Sequence, residues 1–366
     1  MIKILHLRSS DIFSSPERLI IGQCKILSDF DFVCASFVRK NRSNRFIKEC
    51  RGIGFVVEEI IESFPGDLRV LGQIRQIIKK HQIDIIITHD YKANIYSYLA
   101  ARNLNVFHLP YFHGYTAESR RMKLYNFIDK IVLRKLEKVI AVSERSKYLL
   151  ESLGVDKSKI TVVPNAIDKS TISSFPVEAK EENEIINIIA AGRFSFEKGF
   201  DHLLDAISEI KKQAPRFKLH LYGKGPEETN LREKAILLEL TDQIDFCGFV
   251  DDILPIFAKM DMLVLSSRSE GMPVIILEAW SQAVGVLATA VGGVPELITS
   301  DKYGIVVEPE NIKQLADKLL WALNNINKVK ECGNNGRELL QKEYIYEVQA
   351  EKLRKIYSTI TDRCNS

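Results

Sequence analysis

The sequence predicts an α/β protein built from two doubly wound parallel sheets that face a central cleft. Three observations lead there. Short β-branched runs alternate with longer helical patterns along most of the chain, which is the rhythm of βαβ units. The strand-like runs are almost continuously apolar, as in parallel sheets covered by helices on both faces. The rhythm also stops at a polar, proline-containing stretch, KSTISSFPVEAKEEN, and then restarts; with 366 residues, two domains of ordinary size are expected.

In order, the first half offers KILHL and a helix from about Ser15, then DFVCASFV, then IDIIITH and a helix from Lys92. VIAVS with a helix to Leu153, and finally ITVVPNAI, complete it. After the seam, near residues 165 to 185, come INIIAAGR, KLHLYGKG, MLVLSSRSEG, VLATAVGG and YGIVVEP, separated by helical patterns. The expected domains are residues 1–168 and 169–341. Leu340 to Ile360 reads as one packing helix, with Tyr344, Val348, Leu353 and Tyr357 at mixed three- and four-residue spacing.

Composition narrows the class. Hydrophobic content of 46% and charged content of 27% are those of a folded globular chain. The longest apolar runs fall far short of the roughly 20 residues that span a bilayer. The opening MIKILHLRSSD has too short an apolar core for a signal peptide and reads as a first strand. Six cysteines form no CxxC pair, which argues against a disulfide framework or zinc and fits a reducing cytoplasm. Residues 1–170 carry 28 basic against 18 acidic side chains, or +10, while the remainder carries 23 against 30, or −7. The two halves therefore meet different partners: nucleic acid, anionic lipid or a phosphorylated small molecule all suit the first.

Ligands of such sheets bind beyond the carboxyl ends of the strands. There, SEGMPVIILEAW sets Glu270 in a strand-to-helix loop and Glu278 about five residues into the next helix, with Pro273 in its first turn. Five positions rise about 7.5 Å. Two carboxylates so placed grip the ends of an elongated polar ligand, and N–H groups around Gly271 and Met272 face an anion or a sugar hydroxyl. GRFSFEKGF adds Arg193 and Lys198 after the first strand of the second domain. An isolated R-x4-K pair is usually solvated; beside a glutamate-bearing helix start it reads as a diphosphate site. Asp29-Phe30-Asp31 reads as a solvated turn. Gly223 and Gly225 lack dinucleotide spacing and mark a tight turn after a strand. His89, ending IIITHD, lies at the ligand edge and is placed to touch a ligand there, or is an ordinary loop histidine.

The ordered set VVPNAID, GRFSFEKGFDHLLDAI, LYGKGPEETNL, CGFVDDI, SSRSEGMPVIILEAWSQAVGVLATAVGGVPELI and YGIVVEPEN resembles the second domain of family 4 glycosyltransferases across most of residues 140 to 325. The first half is similar more loosely, through YFHGY around His113 and VIAVSERSKYLL. The resemblance implies a GT-B fold of two Rossmann-like domains and a retaining, metal-independent transferase without a cofactor. Its donor would be a nucleotide sugar such as a UDP- or GDP-sugar. Glu278 would hold the ribose, Arg193 and Lys198 the diphosphate, and Glu270, Gly271, Met272, Pro273 and Val274 the donor sugar. Gly248, Val250 and Asp252 would lie along the base, with Gly223 nearby, and His113 would contact the donor sugar and orient the reacting centre. The terminal helix, about residues 342–362, would pack back on the first domain.

One departure stands out: where relatives usually carry Gly-Gly after the first strand, this chain has FSSPERL, with Ser14 and Ser15 on the acceptor side. Relatives also lead to a glycan or lipid-linked acceptor, cell-surface polysaccharide, lipopolysaccharide or glycolipid assembly, and attachment to the cytoplasmic face of the inner membrane. The basic helix pattern SRRMKLYNFIDKIVLRKLEK presents Leu124, Ile128, Ile131 and Leu136 on one side, normally for packing and secondarily for an anionic membrane surface. Two other readings compete. Glycoside hydrolysis uses paired carboxylates but leaves Arg193 and Lys198 without a role. Nucleic-acid or anion binding by the basic half lacks an aromatic-interleaved strand or recognition helix, so nucleic acid is not expected as a partner.

Overall fold

A computed structural model describes residues 1–9, 13–39, 44–115, 120–172 and 185–364. The expected seam lies partly outside these. The described residues form two compact units: Met1–Asn165 with the segment from Tyr346 onward, and Ala166–Ile345.

The first unit is a seven-stranded sheet of β1 (Lys3–Arg8), β2 (Asp31–Arg39), β3 (Val56–Glu62), β4 (Ile85–Thr88), β5 (Phe107–Phe112), β6 (Val139–Ala141) and β7 (Ile160–Val162). Its order is β3-β2-β1-β4-β5-β6-β7 and every pairing is parallel. One face meets the helix Arg69–His81 through Val70, Ile74 and Ile77, packed on Leu5, Val33 and Ile86. On the other, Ile20 and Cys24 of the helix Ser15–Ile26 join Phe46 and Cys50 around Cys34.

Two of these strands were not expected. In β3 (VVEEIIE) two glutamates interrupt the apolar run, because this strand is at the sheet edge and leaves Val56 and Ile61 exposed. In β5 (FHLPYF) Pro110 argues against a ladder position. Pro110 pairs with Thr88 of β4 at the end of that ladder, and pairing with β6 starts only at Tyr111.

The expected C-terminal helix is two helices. Ile326–Glu343 belongs to the second unit, the helix is interrupted at Tyr344 and Ile345, and Tyr346–Cys364 belongs to the first. Gln349 anchors the last helix by donating to the Pro164 carbonyl (2.5 Å) and accepting from Gln23 (3.0 Å). Arg354 donates to Asp29 (3.0 Å), and these hydrogen bonds hold the Asp29 carboxyl below its usual range. Asp29 is thus a counter-ion to this helix rather than a merely solvated turn residue.

The helix Arg120–Lys135 also differs from expectation. Ile128 packs with Val132, Leu136 and Ile95, but Leu124 and Ile131 are 59% and 40% exposed, alongside Phe127 at 61%. At about 100° per residue the apolar positions fill two adjacent sectors of the helical wheel, and Ile95 of the helix Tyr91–Ala101 packs on one.

The second unit is a six-stranded parallel sheet of β8 (Ile186–Ala191), β9 (Phe217–Tyr222), β10 (Ile244–Gly248), β11 (Met262–Leu265), β12 (Gly285–Thr289) and β13 (Ile305–Val307), in the order β10-β9-β8-β11-β12-β13. Leu203 and Ile207 of the helix Phe200–Ile210 and Leu315 and Leu319 of the helix Ile312–Asn324 share its core with Ile188, Leu219, Val264 and Leu287. β10, unexpected from IDFCG, is the outer strand of this sheet and is only partly buried. Each sheet reverses its winding once, between β1 and β4 and between β8 and β11. Among the described residues no helix is long and apolar enough to cross a membrane.

Candidate functional site

A doubly wound sheet opens a crevice where its strand order reverses, because successive connections leave in opposite directions there. In the second unit the loops after β8 and β11 border that point. The first carries Gly192, Arg193 and a short 3-10 turn, Phe196–Lys198; the second runs from Ser266 to Pro273. They meet through charge. Lys198 Nζ lies 2.7 Å from Glu270 Oε1, and Ser267 Oγ donates to the same oxygen at 2.7 Å. Both side chains are largely sheltered, Lys198 at 24% and Glu270 at 10% exposure, so the pair is screened less than a surface ion pair.

Lys198 and Glu270, 72 residues apart, are thus brought into contact. An ammonium has three donors, and Glu270 engages one. Glu270 Oε1 therefore accepts from both an ammonium and a hydroxyl. Arg193 is exposed at the start of its loop. Glu278 is the fifth residue of the helix Val274–Ser281 and 7% exposed. Pro273 is the residue before that helix (φ −73°, ψ 107°), not within its first turn. Met272 is buried, and Gly271 accepts from the Gly293 N–H at 2.7 Å. Gly292, at φ 52°, lies so close that a Cβ there would collide with the Glu270 carbonyl oxygen.

Backbone contacts also lace the β9 and β10 side to the same loops. Gly223, at φ 148°, donates to the Gly248 carbonyl (2.8 Å), and a Cβ on it would enter the Gly192 carbonyl. Gly223 therefore sets the spacing between two ligand-edge loops. Val250 is half-buried, and Asp252 is exposed, accepting from the Leu254 N–H (3.1 Å) at the start of the helix Leu254–Phe257.

The first unit's reversal point is built differently. Ser14 caps the helix Ser15–Ile26: its N–H and Oγ both donate to Glu17 Oε2, at 2.9 and 2.7 Å. Ser15 is half-buried in the first turn. Glu17 is fully buried and takes Arg8 Nε at 2.6 Å; burial opposes its ionisation, but Arg8 and the Ser14 hydrogen bonds outweigh that and hold the carboxyl below its usual range. Of the two serines of FSSPERL, Ser14 serves as this cap. His89 directly follows β4, in the connection to the helix Tyr91–Ala101, and is buried. It is 2% exposed, and its imidazole is 2.9 Å from that of His6. His113 follows β5 with its ring stacked on Tyr111 and His89, centroids 5.1 and 5.8 Å away. Burial, then the Arg8 charge, pushes His113 down to about 3, so it stays neutral near pH 7, and its buried Nε2 has no hydrogen-bond partner among the described residues.

Sequence reasoning missed Ser267, the hydroxyl three residues before Glu270; Thr289, which donates to the Ser267 carbonyl at 2.5 Å; and Gly292. A small polar residue ahead of the glutamate and the GG of AVGGVPEL were their signals.

Two family models match successive parts of the chain: Glycosyltransferase Family 4 over residues 30–171 and Glycosyl transferases group 1 over residues 171–339. The chain belongs to the family 4 glycosyltransferases. It is similar to an uncharacterized glycosyltransferase of Haemophilus influenzae, 27% identical over 278 residues that cover 74% of this chain and 75% of that one. A putative colanic acid biosynthesis glycosyltransferase of Escherichia coli is 26% identical over 67% of this chain and 62% of its own length. Among solved structures, Anabaena HepE in complex with UDP-glucose aligns over 98% of this chain and 100% of its own with a TM-score of 0.86 at 19% identity. This glycosyltransferase accordingly has the GT-B fold, two Rossmann-like domains each built on a parallel sheet.

Proposed function

We propose that the protein transfers a hexose-type sugar, with retention of anomeric configuration, from a nucleoside diphosphate sugar to a hydroxyl of a glycan or lipid-linked acceptor. The observation that carries this is the Lys198–Glu270 contact at the β8/β11 reversal, one helix turn and more below Glu278. Lys198 and Arg193 stabilise charge on the departing diphosphate, whose oxygen takes the acceptor proton on the same sugar face. Glu270 and the segment to Val274 hold the sugar, and Glu278 holds the ribose hydroxyls. Fixed cations do the electrostatic work that a metal ion does elsewhere, so we assign no divalent ion to the step. His113, a neutral imidazole with an unshared nitrogen, orients the donor. Ser14 and Ser15 border the acceptor side. The UDP-glucose complex of Anabaena HepE and the colanic acid relative support a nucleotide-sugar donor and a role in polysaccharide or glycolipid assembly.

A thermal-shift screen of nucleoside diphosphates and their sugars, with UDP and UDP-glucose first, tests the reading. A ligand at 100 times its Kd adds about 2.7 kcal/mol to the stability of the state that binds it. A rise of the melting temperature with one base, unchanged by EDTA, is expected; no rise with any of them at millimolar concentration would contradict the reading.

Membrane attachment is proposed on a separate ground. Exposed Leu124, Phe127 and Ile131 lie beside Lys123, Lys130 and Arg134, an apolar stripe with basic flanks suited to an anionic bilayer. Sedimentation with vesicles rich in phosphatidylglycerol should carry the protein down at low salt and less at high salt. Protein left in the supernatant at low salt removes the proposal.

A further inference from the structure

Arg268 sits two residues before Glu270, yet its side chain reaches the other loop. Its guanidinium donates to both oxygens of Asp201, at 2.8 and 2.6 Å, and to the carbonyl of Phe196 at 2.7 Å. Nη2 is 2.6 Å from His202 Nε2, and the planar group lies 4.2 Å over the Phe196 ring. Glu310 approaches Nε at 3.6 Å. The backbone joins in, since the Arg268 N–H donates to the Glu197 carbonyl at 2.8 Å and Ser266 Oγ donates to the Lys198 carbonyl at 3.3 Å. The side chain is 10% exposed.

Phe196 to Lys198 is a single 3-10 turn, too short to fix its own orientation. What fixes it is the loop after β11. A planar fork that grips a carboxylate with two bonds, a carbonyl with a third and an aromatic face allows one relative placement of the two loops. Lys198 is the last residue of the gripped turn, and Glu270 follows the gripping residue by two. The distance between their charged ends is therefore set by the clasp.

We propose that Arg268, with Asp201 and Phe196, is a positioning element that sets the Lys198 ammonium against Glu270 and so against the donor diphosphate. The assignment rests on the proposed role of Lys198. It predicts that Arg268 acts through Lys198 and contributes little to turnover without it.

The experiment is a double-mutant cycle of Arg268→Lys and Lys198→Ala, with Asp201→Asn as a second way to open the clasp; kcat, donor KM and melting temperature are measured for each. Lysine keeps the charge but not the fork. Arg268→Lys and Asp201→Asn are each expected to lower kcat roughly 10-fold or more, the scale of a misplaced catalytic group, with a smaller change in KM. On the Lys198→Ala background the same changes should cost less than about 3-fold, because their target is gone. Equal losses on both backgrounds would show a purely structural role and overturn the clasp, as would wild-type kcat in both single variants. If Lys198→Ala alone left kcat intact, the proposed role of Lys198 would fail instead, which is a separate outcome.

Discussion

Lys198→Ala is expected to lower kcat at saturating donor by roughly 10²–10³-fold, the scale for losing one preorganised group that stabilises developing charge. The lysine is sheltered, held 2.7 Å from Glu270, and ends a turn gripped from the neighbouring loop, so little reorganisation is needed when the diphosphate departs. Removing it leaves Glu270 with the Ser267 hydroxyl as its partner and one fewer cation for the leaving group. Single-turnover measurements with saturating donor separate this chemical effect from binding. Turnover equal to wild type would remove Lys198 from the reaction.

Gly292→Ala should damage both stability and activity. The backbone at φ 52° costs an alanine roughly 1–2 kcal/mol. The added methyl also meets the carbonyl oxygens of Glu270 and Gly271, which are backbone and cannot swing aside. Overpacking of this kind costs about 1–3 kcal/mol more, and together these correspond to a melting temperature lower by roughly 5–15 °C for a unit of this size. Any relief must come from shifting the Glu270 segment, whose Gly271 carbonyl is held by the Gly293 N–H at 2.7 Å. At least a 10-fold fall in kcat/KM is expected below the new melting point, on the scale of a site misplaced by a fraction of an ångström. Scanning calorimetry and steady-state kinetics check it; an alanine variant with wild-type values in both would show that the loop yields freely.

Much of the architecture was legible because parallel strands covered on both faces are simple apolar runs. INIIAAGR, MLVLSSRSEG and IDIIITH each contain the strand read from them. The three strands that escaped notice break that rule for local reasons. β3 and β10 are edge strands that tolerate polar positions, and β5 carries Pro110 where one ladder ends and the next begins. The terminal stretch reads as one helix because its periodicity runs through Tyr344 and Ile345, and a break of two residues leaves no mark in a pattern of three and four.

The candidate site was legible in residue type but not in contact. Glu270, Lys198 and Arg193 declare themselves by charge at the carboxyl ends of strands. That Lys198 and Glu270 touch, that His89 is covered, and that Ser14 caps a helix are not properties of spacing. They arise where separate loops meet.

By itself, the order of residues determined the strands that carry the chemistry and the charged groups at their ends, since apolar periodicity and turn chemistry act between near neighbours. Tertiary structure alone decided the partners: Arg268 with Asp201, Gly292 against Glu270, Asp29 with Arg354. Those pairings lie 22 to 325 residues apart in the chain. They depend on how the sheet winds, because strand order and close backbone approach decide which loop ends come within a few ångströms of one another.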